Sequence, residues 1–229
     1  MKPVVRGSRH GPSFSSAFCA CGRVLFLLLG AVLAAAPWPV RAELLDVWRA
    51  ETLNLNDGDA VGTWSTVSNR FTANAAVGEQ PILRRNATPA GGSVVRFNGN
   101  QRLTAPSPVG GRTAFSVALV FRAGAAGAGN NAQWWGKTGL VDAEQPGVTT
   151  DWGIVLTETG QVGIGSGNPD ISTYSAGASV VDSTYHVAVF TWGAGVQAVY
   201  LDNRPAVTQS GVSSGARGNT GISLGGILT

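Results

Sequence analysis

Residues 185–201, YHVAVFTWGAGVQAVYL, decide the fold. Over 185–192, Tyr185, Val187 and Val189 alternate with Ala188, Phe190 and Trp192, so both faces of an extended segment are largely apolar. Such a strand belongs in a sandwich with one face partly covered. Gly193-Ala194-Gly195 then reverses the chain into VQAVYL (196–201), and Asp202-Asn203 supplies the next tight turn because both residues tolerate positive φ. Strands in such close succession predict an antiparallel meander.

Outward from this core the same pattern recurs. In FSVALVFR (115–122), Phe115, Val117, Leu119 and Phe121 share one face and Ser116, Ala118, Val120 and Arg122 the other, which predicts a largely buried strand. Further strands are expected over 45–50, 60–64, 93–98, 153–156, 161–165 and 221–224, separated by Gly, Asn, Asp, Pro and Ser clusters. Beyond residue 42 there is no apolar run of helical period, no internal repeat and no heptad. AGAAGAGNN (123–131) is of low complexity and reads as a mobile loop. The fold class is all-β.

The first 42 residues read as a secretory signal peptide. Lys2, Arg6, Arg9 and Arg23 precede an apolar run of 13 residues, VLFLLLGAVLAAA (24–36), which is shorter than the roughly 18 of a membrane-spanning helix. Pro37 and Pro39 end it, and Val40-Arg41-Ala42 places cleavage after Ala42; a retained anchor is the alternative. Residues 43–229 are then one domain of 187 residues, long enough to bury a core without disulfides. Cys19 and Cys21 both lie in the leader, ahead of the apolar run, where neither lipid attachment nor a zinc site fits.

Cleavage reverses the charge balance. The whole chain has 16 Lys+Arg against 13 Asp+Glu, but five of the cations and none of the acids precede Glu43, leaving a net charge of −2. The basic pI therefore belongs to the leader and does not indicate nucleic acid. Arg84-Arg85 is the densest cationic point, more typical of a solvated strand end than of a phosphate site.

Four stretches, in order, resemble a laminin G-like domain of the concanavalin A-like lectin/glucanase superfamily. They are Val94-Val95-Arg96-Phe97-Asn98-Gly99 with Leu103; Phe115-Ser116-Val117 with Phe121-Arg122; Trp135-Gly136-Lys137 with Asp151-Trp152-Gly153; and Tyr185-His186-Val187-Ala188 with Val199-Tyr200-Leu201-Asp202. Thr184, Tyr185 and His186 stand where such domains have Trp-His-His. The resemblance covers roughly residues 44–226 and implies a two-sheet antiparallel jelly-roll sandwich. It also implies a further closing strand beyond the stretch 221–226, so the chain is expected to lack its last strand.

Three sets of residues compete for function. The resemblance implies Ca²⁺ at a rim, and Asp142, Glu144 and Asp151 in DAEQPGVTTD (142–151) are the candidate hard-oxygen ligands, the plain alternative being a solvated acidic loop. Trp134, Trp135 and Trp152 are the candidate sugar-stacking platform, although adjacent Trp134 and Trp135 on a strand would face opposite ways and leave one at the rim. Laminarin-cleaving members of the superfamily carry E-x-D-x-E or its bulged form on one strand, and here Glu43, Glu51, Glu79, Glu144 and Glu158 stand apart. His186, the single histidine after residue 42, reads as a residue on the sheet surface, which leaves a Ser-His-Asp relay without support.

Gly163-Ile164-Gly165-Ser166-Gly167 opens no helix and cradles no nucleotide, and Asn86-Ala87-Thr88 is a glycosylation sequon. The sequence thus favours a secreted or cell-surface/periplasmic, non-catalytic module. It would recognise a carbohydrate or a surface protein through rim loops, with Ca²⁺ as a candidate cofactor and neither nucleic acid nor a membrane span. A glycan-cleaving enzyme of the same superfamily, or a structural or adhesion fragment of a longer surface protein, are the alternatives.

Overall fold

A computed structural model of the chain describes residues 43–129, 133–218 and 221–226. The expected signal peptide and any strand beyond 226 lie outside the described residues. Leu45 begins the compact unit. In chain order its strands are β1 (Thr63–Ser65), β2 (Thr72–Asn74), β3 (Ile82–Arg84), β4 (Val94–Arg96), β5 (Leu103–Pro106), β6 (Ala114–Phe121) and β7 (Thr138–Asp142). They continue with β8 (Trp152–Leu156), β9 (Val162–Ser166), β10 (Ile171–Tyr174), β11 (His186–Gly193), β12 (Val196–Leu201), β13 (Val207–Ser210) and β14 (Gly221–Leu224).

One sheet runs β1-β2-β5-β14-β7-β8-β9-β10, a second runs β13-β12-β11-β6, and β3 pairs with β4. All strand pairings are antiparallel. The chain is therefore an all-β antiparallel sandwich, and β14 lying between β5 and β7 sets sequence-distant strands side by side as in a jelly roll. Among the described residues no α-helix forms, and no helix is long and apolar enough to cross a membrane.

The two large sheets meet over an aromatic core. Phe115 of β6 lies 4.8 Å from the Trp152 ring of β8 and 5.6 Å from the Trp192 ring of β11, centroid to centroid. Ile154, Leu156, Val162 and Ile164 from one sheet and Ala188, Phe190, Val199 and Leu201 from the other complete this layer. One polar residue crosses it. Gln197 of β12 is fully buried; its Nε2 donates to Thr173 Oγ1 at 2.9 Å, Ile171 O at 3.1 Å and Ile164 O at 3.3 Å, and its Oε1 accepts from the Ser166 hydroxyl at 3.0 Å.

The glycines of β8 and β9 have a packing reason. Trp152, Ile154 and Leu156 face the core, so Gly153, and on the next strand Gly163 and Gly165, fall on the outer face. Trp134 lies across that face: a Cβ at Gly153 would sit 2.8 Å from its Cζ3, and one at Gly165 would overlap its Cγ. Tyr174 occupies the matching space over Gly163. The strand alternation of 161–165 thus makes a flat track on which an indole is buried and a phenol half-buried.

Three expectations change. Residues 45–50 form no strand and lead into a 3-10 turn, Ala50–Thr52. In β6 only the face of Phe115, Val117, Leu119 and Phe121 turns inward, while Ala114, Ser116, Ala118 and Val120 are exposed, so the strand is half-buried. As far as Gly129 the stretch expected to be a mobile loop is pinned: Gly127 N–H donates to Thr157 O at 2.9 Å and Ala128 N–H to Thr138 Oγ1 at 2.7 Å.

Replacing Gln197 with leucine removes the inter-sheet amide and strands the buried Ser166 hydroxyl and Thr173 Oγ1. Unfolding in urea is expected to show a loss of about 3 kcal/mol. A loss below about 1 kcal/mol would show that the amide does not set the packing of the two sheets.

Candidate functional site

The segment that carries the expected indole platform is a 3-10 turn, Trp134–Gly136, set before β7. The turn splits the three tryptophans. Trp134 is fully buried on the glycine track, Trp152 is buried in the core against Phe115, and Trp135 is 42% exposed. A three-ring platform is therefore not assembled, because two of the rings already cover sheet faces; Trp135 is the one indole of the three offered to a ligand.

Beside Trp135 in the chain, Gly136, Lys137 and Thr138 form one wall of a cleft of about 610 Å³, and Gly99, Asn100, Gln101 and Arg102 form another. Its cations are balanced. Lys137 is nearly buried and donates to the Glu158 carboxylate at 2.7 Å, and Arg102 Nε donates to Glu79 at 3.0 Å. The Lys137 ammonium also holds the Glu158 carboxyl below its ordinary range. Gln101 is committed to the backbone, donating to Gln80 O at 2.7 Å and accepting from Asn98 N–H at 3.0 Å. The lining mixes polar and apolar surface, and its lysine and arginine are each paired with a carboxylate. Sequence reading missed Asn100, Arg102 and Lys137 as wall residues, since only the register of β5, β14 and β7 brings their loops together.

The acidic candidates sit at the other end of β7, roughly 14 Å along the strand. The loop 143–151 does close a hairpin, with Ala143 N–H donating to Trp152 O at 2.9 Å. Even so, Asp142 is buried beside Trp134 where a Cβ of Gly153 would fall, while the Asp151 carboxylate lies against Gly167. Among the described residues no three His, Cys, Asp or Glu side chains gather closely enough to hold a metal ion. Ca²⁺ takes six to eight oxygens, and the structure does not bring Asp142, Glu144 and Asp151 together as one set of ligands. Burial pushes the Asp151 carboxyl up and nearby Asp170 adds to this, against hydrogen bonds from the backbone and the Arg217 charge. Burial and then Asp151 likewise raise Glu144.

His186 is buried, not set on the sheet surface as expected. Its Nδ1 is 2.8 Å from Asp202 Oδ2 and its Nε2 is 3.0 Å from Asp182 Oδ1, so with a carboxylate at each nitrogen the imidazolium form donates twice. Burial by itself lowers the imidazole pKa; the bonds to Asp202 and Asp182 outweigh it and raise the group above 6.5. The Thr184 hydroxyl and N–H, with His186, bring Asp182 down to about 2. Asp202 also accepts from Val187 N–H at 2.9 Å, which fixes the turn after β12 to the start of β11. The visible signal was D-x-T-x-H at 182–186, whose second carboxylate arrives only through the β11–β12 hairpin. The Thr184 hydroxyl lies 3.3 Å from His186 Nε2 but donates to Asp182 Oδ1 at 2.7 Å.

No protein-family model and no curated protein sequence matches the chain. Among solved structures it is similar to the mouse laminin alpha1 chain, domains LG4-5, at 16% identity and a TM-score of 0.41, over 51% of this chain and 28% of that one. The chain thus spans under a third of that structure's length. The all-β assignment rests on the strand pairings themselves.

The His186 clamp gives a signed pH dependence. A raised imidazole contributes stability that is fully present below pH 6.5 and is lost as the pH climbs through its folded value, whereas Asp182, lowered from 3.8 to about 2, contributes above 3.8 and loses this as the pH falls toward 2. Urea unfolding midpoints are therefore expected to be highest between these limits and to decline on the alkaline side. His186→Gln should remove that alkaline decline; an identical decline in both proteins would contradict the clamp.

Proposed function

We propose that this chain is a secreted, non-catalytic binding module that recognises a neutral glycan in the cleft beside Trp135. The observation that carries the reading is a cleft whose cations are already balanced, with the exposed indole of Trp135 one residue ahead of its wall of Gly136, Lys137 and Thr138 in the chain. Pyranose rings present an apolar face suited to an indole and a rim of hydroxyls suited to amides, carboxylates and backbone groups. A phosphate or nucleic-acid ligand would call for uncompensated cations instead. Secretion is supported by the leader-like residues 1–42, and the lack of catalysis by the scattered glutamates.

Recognition at this cleft is independent of Ca²⁺ in this reading, since the acidic loop lies at the far end of β7 and among the described residues no three of its carboxylates gather. A surface-protein ligand is less favoured: the cleft is concave, and among the described residues its lining holds no apolar side chain larger than Ala128.

A glycan array followed by titration of the strongest neutral oligosaccharide tests this. Trp135→Ala is expected to weaken binding about tenfold or more without moving the unfolding midpoint, since the ring is surface-exposed. Undiminished binding by the variant would remove the cleft from the account. Addition of EDTA should leave affinity unchanged, and a calcium-dependent signal that disappears in Asp151→Ala would overturn that part. Release of reducing sugar from the bound oligosaccharide would reinstate the enzyme.

A further inference from the structure

We propose that Asn98-Gly99 is a self-modification site, at which the Asn98 side chain condenses with the Gly99 main-chain nitrogen and the product remodels one wall of the cleft. Attack of a backbone nitrogen on the preceding asparagine amide is opposed by the side chain of the residue that supplies the nitrogen, and by any burial or hydrogen bond that holds the two groups still. Asn98 is the one asparagine followed by glycine; every other asparagine of the chain precedes a residue with a side chain. The fold leaves this pair unhindered. Asn98 and Gly99 are exposed in the connection between β4 and β5, outside the ladders. Gly99 has a φ of 91°, and a Cβ built there would meet no heavy atom within 4 Å. Among the described residues nothing accepts from Gly99 N–H, and the Asn98 side-chain amide makes no hydrogen bond.

The step needs only water as co-reactant. Gly99 N bonds to Asn98 Cγ, the Cγ–Nδ2 bond breaks, and ammonia leaves with the proton of the Gly99 N–H, closing a five-membered succinimide. Water then opens the ring at either carbonyl. Opening at Cγ gives aspartate; opening at the main-chain carbonyl gives isoaspartate, whose main chain runs through Cβ and Cγ and so gains one carbon. The position makes this consequential, because Gly99, Asn100, Gln101 and Arg102 form a wall of the cleft. The turn is tied down by Asn98 N–H donating to Gln101 Oε1 at 3.0 Å and Gln101 Nε2 donating to Gln80 O at 2.7 Å. A lengthened main chain shifts that tie. Either product also adds a negative charge beside a wall whose arginine, Arg102, is already paired with Glu79. The effect on ligand rests on the reading of the cleft as a glycan site; the modification itself does not.

The full chain is warmed at mildly alkaline pH and sampled over days. Trypsin, cutting after Arg96 and Arg102, releases residues 97–102, in which fragmentation locates the exchange of NH₂ for OH at Asn98 or Asn100 and isoaspartyl methyltransferase labels the lengthened product. Modification at Asn98 is expected to run at least about tenfold faster than at any other asparagine, and within about tenfold of its rate in a synthetic peptide of residues 97–102. Asn98→Gln, which would have to close a six-membered ring, should be silent at this position. Backbone shifts of the aged chain should move at Asn98 to Arg102 and leave the Trp152 indole in place. Aged chain should bind the array-selected neutral oligosaccharide about tenfold more weakly than fresh chain, and aged Asn98→Gln as well as fresh. A rate at Asn98 no greater than elsewhere, or modification that appears only in urea, would overturn the proposal, as would unmoved Gln101 shifts after complete modification. If fresh chain binds no glycan, the cleft reading alone fails, and the mass and shift measurements still decide this one.

Discussion

The sandwich depends on a single buried amide. Gln197 stands on β12 of the four-stranded sheet and hydrogen-bonds β9 and β10 of the eight-stranded one, the only side chain among the described core residues that joins both sheets through four polar contacts. Apolar packing alone tolerates sliding, because methyl groups have no directional preference. An amide with fixed donors and an acceptor does not, so it sets which residues of β9 and β10 lie under β12. From that register follow the position of Trp152 against Phe115, the direction of the outer face of β9, and hence the glycine track that receives Trp134.

The candidate site inherits its geometry from this arrangement. With Trp134 held on Gly153 and Gly165, the 3-10 turn that follows can present only Trp135, and it does so next to the wall formed by Lys137 and Thr138. Lys137 is then drawn inward to Glu158, which neutralises the one lysine of the domain at the cleft. Burial of one indole is thus the condition for exposure of its neighbour. The rim with Glu144 and Asp151, at the far end of β7, is a separate surface where burial first, and neighbouring carboxylates second, push both carboxyls up in pKa.

Much of this was legible in the sequence where a strand carries its own pattern. Residues 115–122, 185–192 and 196–201 alternate over six to eight positions, and β6, β11 and β12 fall there. The four-residue strands β10 and β13 have no pattern of their own and pair with the longer β9 and β12, while the three-residue strands β2 and β3 are too short to carry a pattern at all. The burial of Trp134 could not be read from its own neighbours in the chain, since the space it fills is made by glycines on two other strands. His186 misled for a similar reason: its local strand placed it at a surface, and the two carboxylates that bury it come from a preceding turn and from the end of the next strand.

The claim that recognition occurs at the cleft, and not at the acidic rim, is most directly tested by mapping backbone and indole nitrogen–proton shifts of the labelled chain during titration with an array-selected oligosaccharide. Shifts are expected to gather at Gly99–Arg102, at Lys137 and Thr138 and at the Trp135 indole, with the buried Trp152 indole unmoved. Shifts gathered instead in the loop 143–151, with Trp135 silent, would contradict the account.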